Sequence, residues 1–445
     1  MTDFFLPLFT VLLFFLTFLI IYSKFDFLEP SVLVVSMMTA STFMAIIYAE
    51  RWGLQISLKG FLFIISVAFI FFVGGFFAKK CFATNKKINE NTSENISKKT
   101  YDISWLTIFA VTLLMLGMLA YNIERVHAIS MLYHNREGIE GYLNMIRIVR
   151  PLLESGEMPS FGLVFGVFFN LSRLIAYIFI YLFAYNLLYS TAKRADFRLL
   201  IPALLEIPFQ ILTTGRLGLF IVVVYTLIVS IMLYQKGENY SFKSRTNALK
   251  IMGVGGFLFI AAFLLMGMLT WKGVTEDRTP LIILSHYLGL SIPALDSLTH
   301  MTLPESAYVG SHTLQGAYRF MHAVLPSIPA VEAFLPFVQF NGIDTNVFTM
   351  FGQYLMDYGY IGTLALSWIF GFIYTACYTS VKSSENHIET PIIMYGYLAY
   401  PLFLSSISER IFMDFTNTAG AFAILLFILI KIIFSKRFLN GSVKE

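Results

Sequence analysis

The sequence predicts an all-α fold, a polytopic transmembrane helical bundle of about eleven spans with a large external loop of short amphipathic helices. Three observations carry this prediction. Hydrophobic residues make up 57% of the 445-residue chain and charged residues only 13%, about half of the charged share of a soluble domain. Apolar runs long enough to cross a bilayer recur along the chain. Lysines and arginines fall mostly between these runs, as they do in the loops of membrane proteins.

The predicted spans follow the apolar runs in order. The first run lacks the basic stretch and the small-residue cleavage site of a signal peptide, so we expect a retained span. We expect the whole chain, 1–445, to form a single integral membrane domain. The predicted spans are 4–22, 30–49, 60–78, 103–121, 161–190, 199–213, 217–234, 249–271, 358–379, 391–407 and 411–434.

Basic residues predict the orientation of these spans. Clusters follow the third, fifth, seventh and last spans, and cytoplasmic loops are enriched in Lys and Arg. The C-terminus and a polar linker, 79–100, are therefore expected in the cytoplasm. The segments 122–160 and 272–345 then form external loops. Arg51 and Lys59 would also be external, so the orientation of the first three spans stays open.

The two cysteines, Cys81 and Cys377, each fall at the predicted cytoplasmic end of a span, which indicates no disulfide. The net charge of +4 is explained by the loop residues that set the orientation. We therefore expect no nucleic-acid partner.

Three ionisable residues fall inside predicted spans or at their ends, where a charge is costly. Arg173 and Glu206 lie at similar depths in the bilayer, so a structural ion pair and a functional role are both open. Arg216 follows Thr213-Thr214-Gly215 in a turn near the predicted outer surface. Because no carboxylate is nearby in sequence, we favour a ligand-binding role for Arg216.

The long external loop contains a predicted helix over 313–325. Its spacing places Gln315, Arg319 and His322 on one polar stripe of an otherwise apolar helix. A charged residue and a histidine on such a stripe are candidates for ligand binding, although a structural histidine is common. We keep both interpretations for His322.

A second polar stripe begins after the turn 341–345, which is expected to lead directly into a helix. Steps of three, four and four place its members on one face that runs into the ninth predicted span. The stripe should therefore line a polar cavity or form the solvated face of an interfacial helix. Its members, with the flanking tyrosine, are Asn346, Thr349, Gln353, Tyr354 and Asp357.

Between the last two spans, Glu409 and Arg410 lie in a short polar turn, where they either close that cavity or cap the turn. The sequence contains no phosphate-binding P-loop, zinc-protease motif, Cys-x-x-Cys or nucleophile elbow. No Asp-x-Asp stands in an external loop to hold a divalent ion. We expect no cofactor and no metal, so arginines would have to neutralise any diphosphate ligand.

Three segments carry a resemblance to a known family: TTGRLGLF, VGSHTLQGAYRF and TNVFTMFGQYLMDYGYIGT. With the many spans and the late external loop, the chain resembles the bacterial O-antigen and capsule repeat-unit polymerases of the Wzy type. Some members carry an Arg-x10-Gly pattern in external loops, and Arg278 with Gly289 fits that spacing. The earlier external loop has no equivalent pair.

The resemblance implies a metal-independent glycosyltransferase of the bacterial inner membrane that acts at its periplasmic face. Its substrate would be an oligosaccharide unit on undecaprenyl diphosphate, within the lipid. A chain-length regulator and a flippase would be further partners in polysaccharide and lipopolysaccharide biosynthesis. The sugars, the linkage, its stereochemistry and the oligomeric state stay open.

The resemblance also implies roles for the candidate residues. Arg216 and Arg319, with Arg278 as a weaker third, would bind the diphosphate. His322 or Asp357 would be the catalytic base. The sugar-binding residues would be Asn346, Thr349, Gln353 and Tyr354.

Two other functions fit the sequence. An O-antigen ligase would use the same donor and the same arginines but would transfer the glycan to lipid A-core. A flippase for lipid-linked oligosaccharide, or another secondary transporter, belongs to a different class. Transporters usually show inverted repeats and midplane sites, whereas the polar residues here gather at one face.

Overall fold

The computed structural model describes residues 3–82, 101–133, 161–189, 196–212, 216–270, 280–301, 308–329, 331, 335–384 and 388–434. This part of the chain is mostly helical. The helices are α1 Phe5–Tyr22, α2 Pro30–Trp52, α3 Leu58–Phe82, α4 Trp105–Tyr133, α5 Leu163–Tyr189, α6 Leu200–Leu204, α7 Glu206–Leu212, α8 Arg216–Gly237, α9 Phe242–Thr270, α10 Pro280–Gly289, α11 Ser291–His300, α12 Gln315–Val324, α13 Met350–Ser383, α14 Glu389–Phe403, α15 Ile411–Phe415 and α16 Thr418–Ile433. A 3-10 turn, Phe197–Leu199, precedes α6, and the strands are β1 Val338–Phe340 and β2 Ile343–Thr345.

Seven of the described helices are long and apolar enough to cross a membrane, so the chain is a multi-pass membrane protein. These helices are α1, α2, α3, α4, α5, α8 and α13. Helices α14 and α16 have only 15 and 16 residues, fewer than a span of about twenty. The larger count of about eleven spans, the external position of 122–160 and 272–345, and the cytoplasmic position of 79–100 stay predictions.

The predicted span 199–213 does not form one continuous helix. It is divided into the 3-10 turn, α6 and α7, with Leu205 between the two helices. Pro208 explains the division, because a proline has no N–H to donate to the carbonyl four residues earlier, here that of Leu204. The helix therefore restarts at Glu206.

The last predicted span, 411–434, is also interrupted, between Phe415 and Thr418. The Asn417 side-chain amide donates to the Met413 carbonyl oxygen at 2.7 Å. A side chain that takes a helix carbonyl in this way competes with continuation of the helix. The short helix α15 is therefore separate from α16.

The turn over 341–345 leads into a strand and not, as predicted, directly into a helix. Antiparallel strands β1 and β2 pair Phe340 with Ile343 around Asn341-Gly342, and Gly342 has a φ of +70°. Asn-Gly is the strongest signal for such a two-residue hairpin turn. The next helix, α13, begins only at Met350, so Asn346 lies before the helix that was expected to carry it.

The described chain divides into two compact units, of which the first comprises 1–89, 281–386 and 398–421. In this unit α3 packs closely along α13. A Cβ atom on Gly74 would collide with the Trp368 carbonyl oxygen, and one on Gly371 would collide with the Phe71 carbonyl oxygen. Small residues allow such close approach of helix backbones, which stabilises helix pairs in membranes.

Charged residues join the ends of helices in the first unit. Asp26, just before α2, accepts a hydrogen bond from Tyr378 at 2.8 Å and pairs with Lys382 at 2.6 Å near the end of α13. Glu29 caps the start of α2 and pairs with Lys79 of α3 at 2.9 Å. Both carboxylates are buried, so each has the cationic partner that a buried charge requires.

The second unit comprises 90–280, 387–397 and 422–445. Helices α5 and α8 pack through Tyr177 and Tyr225, whose ring centroids are 4.0 Å apart. The Tyr225 hydroxyl donates to the Tyr177 carbonyl oxygen at 2.9 Å. Met115 and Met118 of α4 pack with Phe209 of α7 in an apolar core.

We expect Gly371→Ala to lower the free energy of unfolding by about 1–3 kcal/mol, the usual cost of overpacking. The added methyl group would meet backbone atoms of Phe71, which cannot move aside as a flexible side chain would. Thermal unfolding of the purified protein in detergent measures the effect. Gly117→Ala is the matched control, since nothing lies within 4 Å of a Cβ atom at that helical position. An equal melting temperature for both variants would contradict the proposed close packing.

Candidate functional site

A break in α13 separates a short first segment from the rest of the helix. Gly359 has φ 63° and ψ −168° inside the 34-residue helix, a conformation that glycine adopts far more readily than other residues. Three of the predicted site residues, Gln353, Tyr354 and Asp357, lie on the short segment before this break. The predicted polar stripe therefore ends at Gly359 instead of continuing along the helix.

The Asp357 carboxylate holds the loop that precedes α12. It accepts hydrogen bonds from the backbone N–H groups of His312 and Thr313, at 3.1 and 2.6 Å, and from the Thr313 hydroxyl at 2.5 Å. The side chain is completely buried. A carboxylate with this many donors is stabilised in its ionised form, so Asp357 is poorly suited to the role of free base that the sequence suggested.

His312 completes this arrangement. Its Nδ1 atom lies 2.9 Å from Asp357 Oδ1. Because an ionised carboxylate can only accept a hydrogen bond, Nδ1 carries the proton and the lone pair of the neutral ring is on Nε2. Among the described residues none hydrogen-bonds to Nε2, and the ring is 17% exposed. The pair has the geometry of an imidazole base that is oriented by a carboxylate.

Beside this pair lies a group of uncharged side chains that we call the polar cluster. Its members share two properties: each is buried, and each has a side-chain nitrogen or oxygen without a hydrogen-bond partner among the described residues. An unpaired buried polar atom costs about 1–3 kcal/mol. The members of the polar cluster are Gln315, Thr349, Gln353, Ser405 and Ser406.

The polar cluster is formed by three chain segments that meet in the first unit. The Met350 N–H at the start of α13 donates to the Ser405 carbonyl oxygen at 2.9 Å. The Thr313 hydroxyl lies 3.4 Å from the Gln353 carbonyl oxygen. A Cβ atom on Gly316, next to Gln315, would lie 2.5 Å from the Met413 carbonyl oxygen of α15. The starts of α12 and α13 and the turn before α15 therefore surround one polar region.

Glu409 closes the same region from the side of α15. Its carboxylate accepts from the backbone N–H groups of Ile411 and Phe412 at 2.7 and 2.8 Å, and so caps α15. The Tyr354 hydroxyl donates to it at 3.1 Å. Glu409 lies outside the long apolar helices, and burial raises the pKa of its carboxyl group to about 7.

Arg410, the neighbour of Glu409, is oriented away from that carboxylate and toward Asp414. Its Nη1 atom lies 3.6 Å from Asp414 Oδ1 and 3.3 Å from the Met413 sulfur. Its Nε atom is buried and has no partner among the described residues. Arg410 therefore caps the turn in part and keeps one donor that is not used.

Three other predicted residues of the first unit are not members of the polar cluster. Arg319 is exposed on α12. His322, in the last turn of α12, has its Nδ1 atom 2.6 Å from the Ile328 carbonyl oxygen, so it holds the following turn. Asn346 is partly buried in the segment between β2 and α13.

The remaining predicted residues belong to the second unit. Arg216 begins α8, but its side chain lies outside the described residues, as does all of Arg278. The ion pair between Arg173 and Glu206 is present, with Nε and Oε1 3.5 Å apart. Glu206 is fully buried and also accepts from the Ser172 hydroxyl at 2.6 Å and from Gln210. This network satisfies a carboxylate that would otherwise be buried alone.

Sequence reasoning missed two components of the site. It gave His312 no role, because its partner Asp357 lies 45 residues away and no periodic pattern joins them. It assigned no role to Ser405 and Ser406, which precede Glu409 and are both buried. The local signal in the sequence that could have indicated a polar site there was the pair of serines shortly before Glu409.

The chain matches no protein-family model, no curated protein sequence and no solved structure. The function of this chain therefore has to be inferred from the geometry of the site together with the features of its sequence.

We expect Glu409 to make stability depend on pH. Because the pKa rises from 4.5 to about 7 in the folded protein, the folded state binds the proton more tightly. The free energy of unfolding should therefore fall as pH rises from about 4.5 to about 7, by an amount on the order of 3 kcal/mol. Glu409→Gln should remove this part of the dependence. Melting temperatures near pH 5 and pH 8 test it, and an unchanged pH dependence in the variant would refute the effect.

We expect Thr349→Val with Gln353→Met to leave the melting temperature unchanged or to raise it. The unpaired buried atoms Thr349 Oγ1 and Gln353 Oε1 are replaced by apolar groups of similar shape. Thr363→Val is the matched control on α13, since that hydroxyl is buried and donates to the Gly359 carbonyl oxygen at 2.7 Å. The control should lower the melting temperature. A clear loss of stability in the double variant would show that the polar cluster is satisfied internally.

Proposed function

We propose that this protein is a glycosyltransferase that polymerises oligosaccharide repeat units carried on undecaprenyl diphosphate in a bacterial inner membrane. The observation that supports the proposal is the His312–Asp357 pair next to the polar cluster. The pair supplies a base, and the cluster supplies uncharged hydrogen-bonding groups of the kind that hold sugar hydroxyls. The sequence resemblance to repeat-unit polymerases supplies the donor.

In the proposed reaction His312 activates the acceptor. Its Nε2 atom accepts the proton of a hydroxyl group on the incoming unit, and the hydroxyl oxygen forms a bond to the anomeric carbon of the growing chain. The bond between that carbon and the diphosphate oxygen breaks, and undecaprenyl diphosphate leaves with the electron pair. Asp357 keeps Nδ1 protonated and stabilises the imidazolium ion that forms. It acts as a positioning residue in this scheme, which replaces the assignment of the base to His322 or Asp357.

The departing diphosphate needs positive charge, because negative charge develops on it in the transition state. Arg216, Arg319 and Arg278 remain the proposed diphosphate ligands, since a planar guanidinium group donates in pairs to phosphate oxygens. Tyr354, which follows Gln353 of the polar cluster on α13, and Asn346, in the segment before α13, remain proposed sugar contacts. The reaction as written requires no metal or cofactor.

The experiment is a gel of surface polysaccharide from a deletion strain that carries each variant on a plasmid. We expect the deletion strain to make single-unit glycans and the wild-type gene to restore a ladder. His312→Ala should lower polymer formation by about 100-fold or more, the usual contribution of a general base. Arg216→Ala should fail to restore the ladder, if that residue binds the diphosphate.

Three controls separate the roles. His127→Ala changes an exposed histidine of α4 and should restore the full ladder. His322→Ala tests the alternative base and should retain polymerisation. Partial recovery of polymer synthesis by His312→Ala membranes on addition of imidazole would identify a base, because a purely structural defect would not respond. A normal ladder from His312→Ala would exclude His312 as the base, and loss of all surface glycan in the deletion strain would favour a flippase.

A further inference from the structure

We propose that the polar cluster is a subsite for an uncharged sugar ring and that the carboxylates beside it select against acidic sugars. This inference rests on the proposed function, which it deepens by naming the class of sugar that the site accepts. It concerns Gln315, Thr349, Gln353, Ser405 and Ser406 with the neighbouring Asp357 and Glu409.

The unpaired atoms of the cluster match the hydrogen-bonding capacity of sugar hydroxyl groups. The three hydroxyls, of Thr349, Ser405 and Ser406, each donate and accept. The Gln315 amide offers one donor atom and one acceptor atom, and the Gln353 oxygen accepts. A sugar hydroxyl also donates and accepts, so one ring can satisfy both kinds of atom at once. A carboxylate or phosphate group only accepts and would leave the acceptor oxygens unpaired.

Other unpaired buried amides among the described residues do not belong to a group formed by several chain segments. Asn122 of α4 and Gln235 of α8 are buried with both amide atoms unpaired, but each is contributed by a single helix. The polar cluster has six unpaired atoms, and the three chain segments that carry them contact one another. Convergence of several segments on one polar region is the arrangement expected of a binding site.

Charge decides which sugars fit. The Asp357 and Glu409 side chains are fully buried at the edges of the cluster. His312 is the ionisable side chain paired with Asp357, and Glu409 is bonded to backbone N–H groups and Tyr354. The nearby guanidinium group of Arg410 faces Asp414. The carboxylate of a uronic acid would therefore meet two like charges, against a single unpaired donor on a guanidinium group whose charge Asp414 already balances. This is a repulsive element of specificity.

The cluster is closed in this structure, since its side chains are at most 1% exposed. A sugar can reach it only when one of the three segments moves. The turn 404–408 is the shortest of them and is held to α13 by the hydrogen bond between the Met350 N–H and the Ser405 carbonyl oxygen.

The test uses the purified full-length protein in nanodiscs and two matched pairs of probes. Methyl glucoside is compared with methyl glucuronide, and methyl galactoside with methyl galacturonide, by saturation-transfer NMR near pH 7.5. Within a pair the two sugars differ only in a CH2OH or COO⁻ group. We expect at least one neutral probe to give a signal that is about fivefold or more above that of its uronide. The opposite preference, equal signals, or no signal from either neutral probe would overturn the inference.

Variants link any signal to the polar cluster. The double variant Thr349→Val with Gln353→Met should lose the neutral-sugar signal at an unchanged melting temperature, whereas Thr363→Val should keep it. Glu409→Gln removes one negative charge and retains the acceptor oxygen, so it should bring the signals within a pair closer together. Persistence of the neutral signal in the double variant would place the sugar elsewhere.

The gel and the NMR experiment can contradict the proposed function and the proposed subsite independently of each other. Neutral-sugar binding with an intact ladder in the deletion strain would leave the subsite in place and reject the polymerase. Loss of the ladder with equal binding of neutral and acidic probes would support the polymerase and reject the charge selection.

Discussion

Lipid offers a polypeptide no hydrogen-bond partners, so the polar groups of a membrane protein must be satisfied within the protein. Many of the described polar side chains along the long helices are satisfied in this way, although the amides of Asn122 and Gln235 are not. The hydroxyl groups of Thr39, Thr42 and Thr226 donate to carbonyl oxygens one turn earlier in their own helices. Asp26 and Glu29 are buried only together with lysines. The polar cluster departs from this rule with six unpaired atoms, and the proposed sugar ligand would give them hydrogen-bond partners.

The same constraint explains the two kinds of carboxylate in the protein. Those with a cation beside them, such as Asp26 and Glu206, join helices and have no atoms left for other partners. Glu409 has no such cation among the described residues and depends on the N-terminus of α15 and on a tyrosine. Asp357 lies between these two cases, because it is bonded both to the His312 ring and to backbone N–H groups of the loop before α12. The function of each carboxylate therefore follows from what neutralises it.

The sequence was sufficient to identify the membrane class and the long helices, because length and hydropathy are local properties. It was less reliable where one residue ends a helix. Pro208 was visible in the sequence, but 199–213 was assigned to a single span without a break after Leu204. The Asn341-Gly342 turn was also visible, but the spacing of the polar residues after it led us to place the start of the helix before Asn346, whereas α13 begins at Met350.

The site was predicted only in part, because the sequence shows local spacing but not contacts between distant segments. Thr349, Gln353 and Asp357 were found because they share one helical spacing that runs into α13, and Tyr354 because it flanks them. His312 was not found, because its contact with Asp357 depends on how a distant loop folds back. Arg216 and Arg278 lie where the structure gives no side-chain position, so their roles rest on the sequence alone. Local periodicity thus identified one wall of the candidate site, and tertiary structure was needed for the others.

The break at Gly359 has a consequence for how such a protein can change over evolution. It interrupts the backbone hydrogen bonds of α13, so the segment 350–358 is not geometrically coupled to 360–383 as one rigid rod. Under the proposed function, substitutions in the short segment would alter which glycans are accepted while the close fit of Gly371 against α3 is retained. Anchoring and recognition would then belong to different parts of one helix, and a new surface antigen could arise without redesign of the membrane-embedded scaffold.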